Sequence, residues 1–230
     1  MKKTLTIRFL GNLVFFIGAI TLIMGVEPVI GEELKYRTNQ VFGIRHTVPK
    51  IVTSKQLEHT QSARPADSTT SFASIFTGTP QTITPVSTDF GIVIEKINAN
   101  AKVIADVDPT DQNAYTQALA LGVAHAKGTS FPPQAGNIYL FSHSTDAPWN
   151  IVRYNAIFYL LNKLENGDRV ILFYKGRRYD YIVFDKTITF ASDVRYLTQS
   201  YAQSVLTLQT CDPPGTIINR LVVRAKLVGE

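Results

Sequence analysis

A single cysteine, Cys211, is the side chain in this 230-residue chain that is best suited to covalent chemistry. A lone thiol cannot form an intramolecular disulfide, so Cys211 is either a small buried side chain or a reactive nucleophile. It closes the run Thr-Leu-Gln-Thr-Cys at 207–211, in which apolar and polar residues alternate as in a strand. Because Asp-Pro-Pro-Gly follows and ends that strand, the sulfur is predicted at its exposed end, on the polar face.

A second predicted strand, at 220–227, follows the turn. One of its faces carries three basic residues and a valine, and the other face is apolar throughout. Arg220 and Arg224 share one face, and Arg220 opens the strand, so a hairpin brings its guanidinium near the sulfur. At 3.3 Å per residue the two arginines are about 13 Å apart, so one cannot replace the other at a single carbonyl group. Little effect is therefore expected from Arg224→Lys.

A cysteine nucleophile needs a base or a nearby cation, and histidine is the usual one. His46 and His59 lie in polar, irregular sequence, which makes them poor candidates. His143 follows the apolar run 137–141, so it is predicted at the end of a buried strand, where it can be held rigidly and still face a cleft. His125 is the rival, and spacing alone leaves both open while favouring His143.

Three segments together resemble the sortases, a family of membrane-anchored cysteine transpeptidases. They are 207–211 with the Arg220 strand, the Gly-Asn-Ile-Tyr-Leu-Phe-Ser-His run at 136–143, and the Gly-Val-Ala-His-Ala-Lys-Gly-Thr run at 122–129. The resemblance spans residues 90–228 in the family's order. It implies that Cys211 is the nucleophile, His143 the catalytic histidine and Arg220 the family arginine, with His125 a non-catalytic histidine.

The resemblance also implies a substrate, which is a secreted protein with a C-terminal Leu-Pro-x-Thr-Gly-like signal. Cleavage after threonine would leave a thioacyl intermediate on Cys211, and an amine on a cell-wall precursor would accept the protein. Residues 190–204 correspond to the loop that holds the apolar part of the signal. The substrate-contacting residues implied are Thr210, Ala191, Val194, Tyr196 and Leu197, with packing inside the loop as the alternative role for the last four.

Two other classes of function remain open from the sequence. A cysteine peptidase or thioesterase would use the same thiol and histidine but pass the acyl group to water. A non-enzymatic anchored barrel would keep Cys211 as packing. Trp149 fits either a groove wall or an ordinary core position.

The N-terminus predicts a membrane anchor. Lys2, Lys3 and Arg8 precede an uncharged, mostly apolar stretch at 9–26, and glutamates follow it. Its length as a helix is about 27 Å, close to a bilayer core of about 30 Å, and the charges favour a cytoplasmic N-terminus with the catalytic domain outside the cell. A cleavable signal peptide is the alternative. The predicted organisation is a signal-anchor at 1–34, a Thr/Ser/Pro-rich linker at 35–89 and a catalytic domain at 90–230.

The remainder of the chain predicts a mainly β domain. Short strand-like runs outnumber two helical ones, at 111–121 and 157–164, as in a sandwich or barrel. The family resemblance implies the eight-stranded sortase β-barrel with short helices. The strand-like runs are 91–97, 102–107, 122–125, 137–141, 169–174, 178–190, 205–210 and 220–227.

Charge and acidic residues add little to the functional assignment. The formal net charge is +5, and no aromatic-and-basic motif for nucleic acid accompanies it. Some sortases bind calcium, but the acidic residues Asp106, Asp108, Asp111 and Asp193 match no oxygen-ligand spacing. No metal or other cofactor is therefore predicted. No apolar segment follows the last strand, so the pilus-building class is not expected, and the subclass stays unassigned.

Overall fold

A computed structural model describes residues 2–49, 81–144 and 157–229 of the chain. The first element is a long helix, α1, at Lys2–Val41, which runs past the predicted boundary at residue 34. Within the described part of the chain, no helix has a stretch that is both long enough and apolar enough to cross a membrane. Most of the predicted linker, at 50–80, and Trp149 lie outside the described residues.

Eight strands close into a barrel, which confirms the predicted mainly β, eight-stranded barrel. Every strand predicted from the sequence is present, with each end within three residues of its predicted position. A further pair of two-residue strands, β1 and β2, lies outside the barrel. In chain order the strands are β1 His46–Thr47, β2 Gln81–Thr82, β3 Phe90–Ile94, β4 Ala99–Val107, β5 Val123–Ala126, β6 Gly136–Phe141, β7 Arg169–Tyr174, β8 Arg177–Phe190, β9 Ser204–Asp212 and β10 Asn219–Gly229.

The order of strands around the barrel is β10, β8, β7, β3, β4, β5, β6 and β9, and β9 pairs with β10 to close it. Two neighbouring pairs are parallel, β4 with β5 and β6 with β9, and the other pairs are antiparallel. Parallel neighbours cannot be joined by a tight turn. The β4 to β5 connection accordingly carries a helix, and strands β7 and β8 intervene between β6 and β9.

Alternation along β9 separates the core from the outer surface of the barrel. Leu206 and Leu208 are fully buried and belong to the main hydrophobic cluster inside the barrel. Thr207 and Gln209 point to the other face, where Thr207 is covered by Asn137 of the neighbouring strand β6. Because Cys211 follows at the same two-residue period, it continues the outward face, as the sequence predicts.

Of the two predicted helices, one is confirmed and one is wrong. Helix α2 spans Gln112–Leu121. It is capped by the preceding residue, Asp111, whose carboxylate accepts hydrogen bonds from two backbone N–H groups of the first turn. The segment 157–164 forms turns and a single 3-10 turn at Leu161–Lys163. Its buried residues Phe158, Leu161 and Leu164 recur every third position, the period of a 3-10 turn, and burying all three in the core outweighs helix propensity.

Both ends of the predicted linker pack on the outside of the barrel. β1 and β2 pair in parallel, and the residues that follow them, Val48 and Ile83, are buried. Together with three outward-facing residues of β3 and β7 they form a small second cluster, which consists of Val48, Ile83, Val93, Ile171 and Phe173. The described ends of the 35–89 segment are therefore part of the folded unit.

Candidate active site

Cys211 lies at the C-terminal end of β9, and the strand register fixes its neighbour on one side. Its Cα is paired with that of Arg220, the second residue of the antiparallel strand β10. Paired residues in an antiparallel sheet project to the same face. The half-buried sulfur and the half-buried guanidinium group therefore share the outer face of the barrel, as the sequence predicts.

His143 reaches the other side of Cys211 because β6 runs parallel to β9. The last register pair of the two strands is Phe141 with Gln209. Past it, the Ser142 N–H donates to the Gln209 carbonyl at 3.2 Å, and the Thr210 hydroxyl donates to the Ser142 carbonyl at 2.9 Å. Continuing this register by two residues sets His143 beside Cys211, so the ends of β6, β9 and β10 hold the histidine, the cysteine and the arginine in one row.

These three residues line one cleft of about 450 Å³. The same cleft is lined by four of the five residues implied as substrate contacts, Thr210, Ala191, Val194 and Leu197. Tyr196 is not among the lining residues, and its ring lies against the guanidinium group of Arg224. The cleft thus unites the thiol, the imidazole and the apolar loop residues that the sequence places far apart.

The Arg220 guanidinium group is oriented by backbone carbonyls of the turn between β9 and β10. One terminal nitrogen donates to the Asn219 carbonyl at 3.0 Å and to the Ile217 carbonyl at 3.2 Å. The Arg220 side chain lines the cleft together with Cys211. Planar N–H donors held in this way are suited to an oxygen atom that enters beside the sulfur.

Sequence reasoning missed Tyr139, which lines the cleft from β6. Its hydroxyl donates to the side-chain oxygen of Gln209, two residues before Cys211. Burial raises the pKa of the Tyr139 phenol well above its usual range, and the nearby Arg220 charge opposes that rise only in part. The phenol is therefore protonated at neutral pH. Period-two counting places Gln209 on this face, but no sequence signal pairs it with a tyrosine on another strand.

The rival histidine, His125, is a buried structural residue on β5. Its Nδ1 accepts from the Asp106 N–H at 3.3 Å, which leaves the proton on Nε2, and Nε2 donates to the Ser130 carbonyl at 3.0 Å. Its ring packs on Phe131 with centroids 4.3 Å apart. Burial lowers the pKa of the imidazole, so His125 is held neutral, and it does not line the cleft.

Three of the four acidic residues considered for calcium have other partners. Asp111 caps α2, Asp108 accepts from the Thr110 hydroxyl at 2.7 Å, and Asp193 pairs with Arg195 at 2.7 Å. Asp193 lines the cleft, and hydrogen bonds from Arg195 and Thr189 hold the pKa of its carboxyl group well below its usual range. Across residues 2–49, 81–144 and 157–229, no group of three or more potential metal ligands is assembled.

Solved structures similar to this chain are sortases of three lettered classes. Sortase C-1 of Actinomyces oris is 26% identical, with a TM-score of 0.53 over 63% of this chain and 76% of that one. Sortase D5 of Clostridium perfringens is 24% identical, with a TM-score of 0.51 over 64% and 82%. Sortase A of Corynebacterium diphtheriae is 23% identical, with a TM-score of 0.52 over 62% and 61%. The similarity spans classes and selects no subclass.

Sequence comparison gives the family directly. No curated protein sequence matches the chain significantly. The sortase-domain family model matches residues 92–228, which cover the barrel from β3 to β10 and include the cysteine, histidine and arginine of the cleft. The chain therefore belongs to the sortase family of cell-envelope transpeptidases.

Proposed function

We propose that this chain is a cysteine transpeptidase that forms a thioacyl intermediate on Cys211 and passes the acyl group to an amine. The observation that carries the proposal is the row of strand ends that sets His143 and Arg220 on either side of Cys211 in one cleft. A thiol beside an imidazole and a guanidinium group has the nucleophile, the proton carrier and the oxyanion donor that acyl transfer requires.

In the first step the Cys211 thiolate attacks the peptide carbonyl after the threonine of the signal. The carbonyl oxygen becomes negatively charged, and the Arg220 guanidinium group donates hydrogen bonds to it. When the C–N bond breaks, the His143 imidazolium gives its proton to the departing amine, and the acyl group stays on sulfur. In the second step neutral His143 takes a proton from the acceptor amine as it attacks the thioester, which restores the thiolate and the imidazolium. No cofactor is required.

The Arg220 role gives a prediction that separates charge from geometry. In Arg220→Lys we expect kcat for signal-peptide cleavage to fall by about 10²-fold, because an ammonium group keeps the charge but lacks the planar fork of donors. The measurement is steady-state kinetics of the purified variant. Arg178→Lys is the control, since Arg178 pairs with Asp180 elsewhere on the barrel and should keep wild-type kcat. Equal kcat values in both variants would remove Arg220 from the mechanism.

The proposed substrate is a secreted protein with a C-terminal Leu-Pro-x-Thr-Gly-like signal, and the proposed acceptor is an amine of a cell-wall precursor. The side chains of Ala191, Val194 and Leu197 give one wall of the cleft an apolar character that suits leucine and proline of such a signal. Attachment to the membrane through residues 9–26, with the catalytic domain outside the cell, remains part of this proposal. It is consistent with the cell-envelope role of the family.

The test is a transfer reaction with and without an added amine. The full chain is incubated with a Leu-Pro-Glu-Thr-Gly peptide and triglycine, and products are identified by mass spectrometry. We expect a ligated product that ends in triglycine, formed faster than the hydrolysed acid. Hydrolysis alone, unchanged by triglycine, would instead support an anchored cysteine peptidase or thioesterase.

A further inference from the structure

Arg224 lies on the outer face of β10, four residues after Arg220, and its guanidinium group contacts four side chains. Its Nε and one terminal nitrogen lie 3.0 Å from Oδ2 of Asp185, its partner on β8. The other terminal nitrogen donates to the Tyr201 hydroxyl at 3.1 Å. The guanidinium carbon also lies 5.3 Å from the ring centroid of Phe184 and 5.4 Å from that of Tyr196, within cation–π range of both rings.

Two of these partners belong to the loop that walls the cleft. Residues 191–203, called here the cleft loop, join β8 to β9 and include the short helix α3 at Arg195–Thr198. Tyr196 and Tyr201 lie in this loop, while Asp185 and Phe184 lie on the barrel. Arg224 therefore bridges the barrel wall and the cleft loop with a single planar group.

The middle of the cleft loop has few other attachments to the barrel. None of its residues is buried, so it cannot be fixed by packing into the core. Near its ends the loop is tied to the barrel by the Thr189 hydroxyl, which donates to Asp193 at 2.6 Å, and by the Gly136 N–H, which donates to the Gln203 carbonyl at 3.0 Å. Its middle is attached through Asn137 of β6, whose side-chain nitrogen donates to the carbonyls of Tyr196 at 2.8 Å and Leu197 at 3.2 Å. Asn137 thus holds the backbone of α3 from one side, and Arg224 holds its tyrosine ring from the other.

We propose that Arg224 is a positioning residue for substrate binding, which holds the cleft loop in the conformation that presents Val194 and Leu197 to the substrate. This assignment changes the expectation from sequence that Arg224→Lys has little effect. An ammonium group can keep the ion pair with Asp185, but it cannot at the same time donate to Tyr201 and stack between two rings. The effect on substrate rests on the proposed transpeptidase function, whereas the effect on the loop does not.

The first test measures the loop itself by hydrogen exchange of the full chain. In wild type, the N–H groups of Leu197, Thr198 and Gln199 are hydrogen-bonded within the loop. In Arg224→Lys we expect these amides to exchange at least about fivefold faster, because the helix that protects them is no longer anchored. Unchanged exchange in the cleft loop would overturn the proposal, whether or not any peptide is turned over.

The second test measures the consequence for substrate with the Leu-Pro-Glu-Thr-Gly peptide. In Arg224→Lys we expect KM to rise about tenfold with kcat within about twofold of wild type, since the variant loses loop order and no reacting group. A fall in kcat at constant KM, or faster exchange with an unchanged KM, would overturn the positioning role. If the wild-type protein neither cleaved the peptide nor transferred it to the amine, the transpeptidase proposal would fail. The hydrogen-exchange result would still show whether Arg224 holds the cleft loop.

Two further variants separate a positioning role from general destabilisation. Arg178→Lys disrupts a similar forked pair, in which Arg178 donates twice to Asp180 at 2.7 and 3.1 Å, but Arg178 contacts the chain at Val48 instead of the cleft loop. It should leave loop exchange and KM unchanged. Tyr201→Phe removes only the hydroxyl acceptor, so it should shift both readouts less, and it should add little to Arg224→Lys because that bond is already lost. Equal shifts in Arg178→Lys would contradict the assignment.

Discussion

Replacing Cys211 with alanine is expected to abolish cleavage of the signal peptide and transfer to an amine, while the barrel remains folded. The nucleophile is removed, and no other thiol is present in the chain. Loss of a catalytic nucleophile reduces kcat by about 10⁴-fold or more, which places the remaining activity near the detection limit. Because the side chain is half-buried in the cleft, the substitution opens no core cavity, and the free energy of unfolding should change by about 1 kcal/mol or less.

The measurement combines peptide kinetics with thermal unfolding followed by circular dichroism. Thr216→Ala is the matched control, since Thr216 lines the same cleft and its hydroxyl donates to the Pro213 carbonyl of its own turn at 2.8 Å. That variant should keep wild-type kcat. Alkylation of the native protein by iodoacetamide should also stop turnover in proportion to the fraction of Cys211 modified. Retained turnover in Cys211→Ala would exclude the thioacyl mechanism, and a thiol that reacts only after unfolding would favour a non-enzymatic barrel.

The strands of the barrel could be predicted because each one carries its own local signal. In β9, alternation alone separates Leu206 and Leu208, which are buried in the core, from Thr207 and Gln209 on the opposite face. Turn residues mark where such strands end, so the position of Cys211 at the end of β9 follows from the same local information. The closure of the barrel required the family resemblance, because alternation does not give the order of strands.

The contacts between distant segments could not be predicted, because they depend on which strands become neighbours. Asn137 touches Tyr196 of the cleft loop only because β6 lies beside β9. The sequence alone predicts little effect of Arg224→Lys, because it shows only that Arg224 lies about 13 Å from Arg220 on the same strand face. Its partners Tyr196 and Tyr201 precede it by more than twenty residues and reach it through the fold. The segment 157–164 forms turns instead of the predicted helix for the same reason, since packing of Phe158, Leu161 and Leu164 in the core decides its conformation.

Alanine substitutions of the two histidines are expected to have different effects. His143→Ala should lose catalytic activity and keep its stability. Its kcat for peptide cleavage should fall by about 10² to 10⁴-fold, since the departing amine is no longer protonated and the thiolate loses its counter-charge. The melting temperature should stay close to wild type, because His143 is half-buried in the cleft and lies beyond the end of β6. Kinetics with a pre-activated thioester substrate should recover part of the rate, since the leaving group then needs no proton.

His125→Ala is the matched control, and it should lose stability instead of activity. Removing the fully buried imidazole takes away two hydrogen bonds, from the Asp106 N–H and to the Ser130 carbonyl, and the ring packing on Phe131, which together should cost about 1 to 3 kcal/mol. We expect the melting temperature to fall by roughly 5 to 15 °C, with kcat near wild type at temperatures where the variant is folded. Because His125 lies away from the cleft lining and its Nε2 proton is donated to the Ser130 carbonyl, it cannot supply a proton at Cys211. If His125→Ala instead lost turnover while folded, and His143→Ala kept it, the assignment of the proton carrier would have to be reversed.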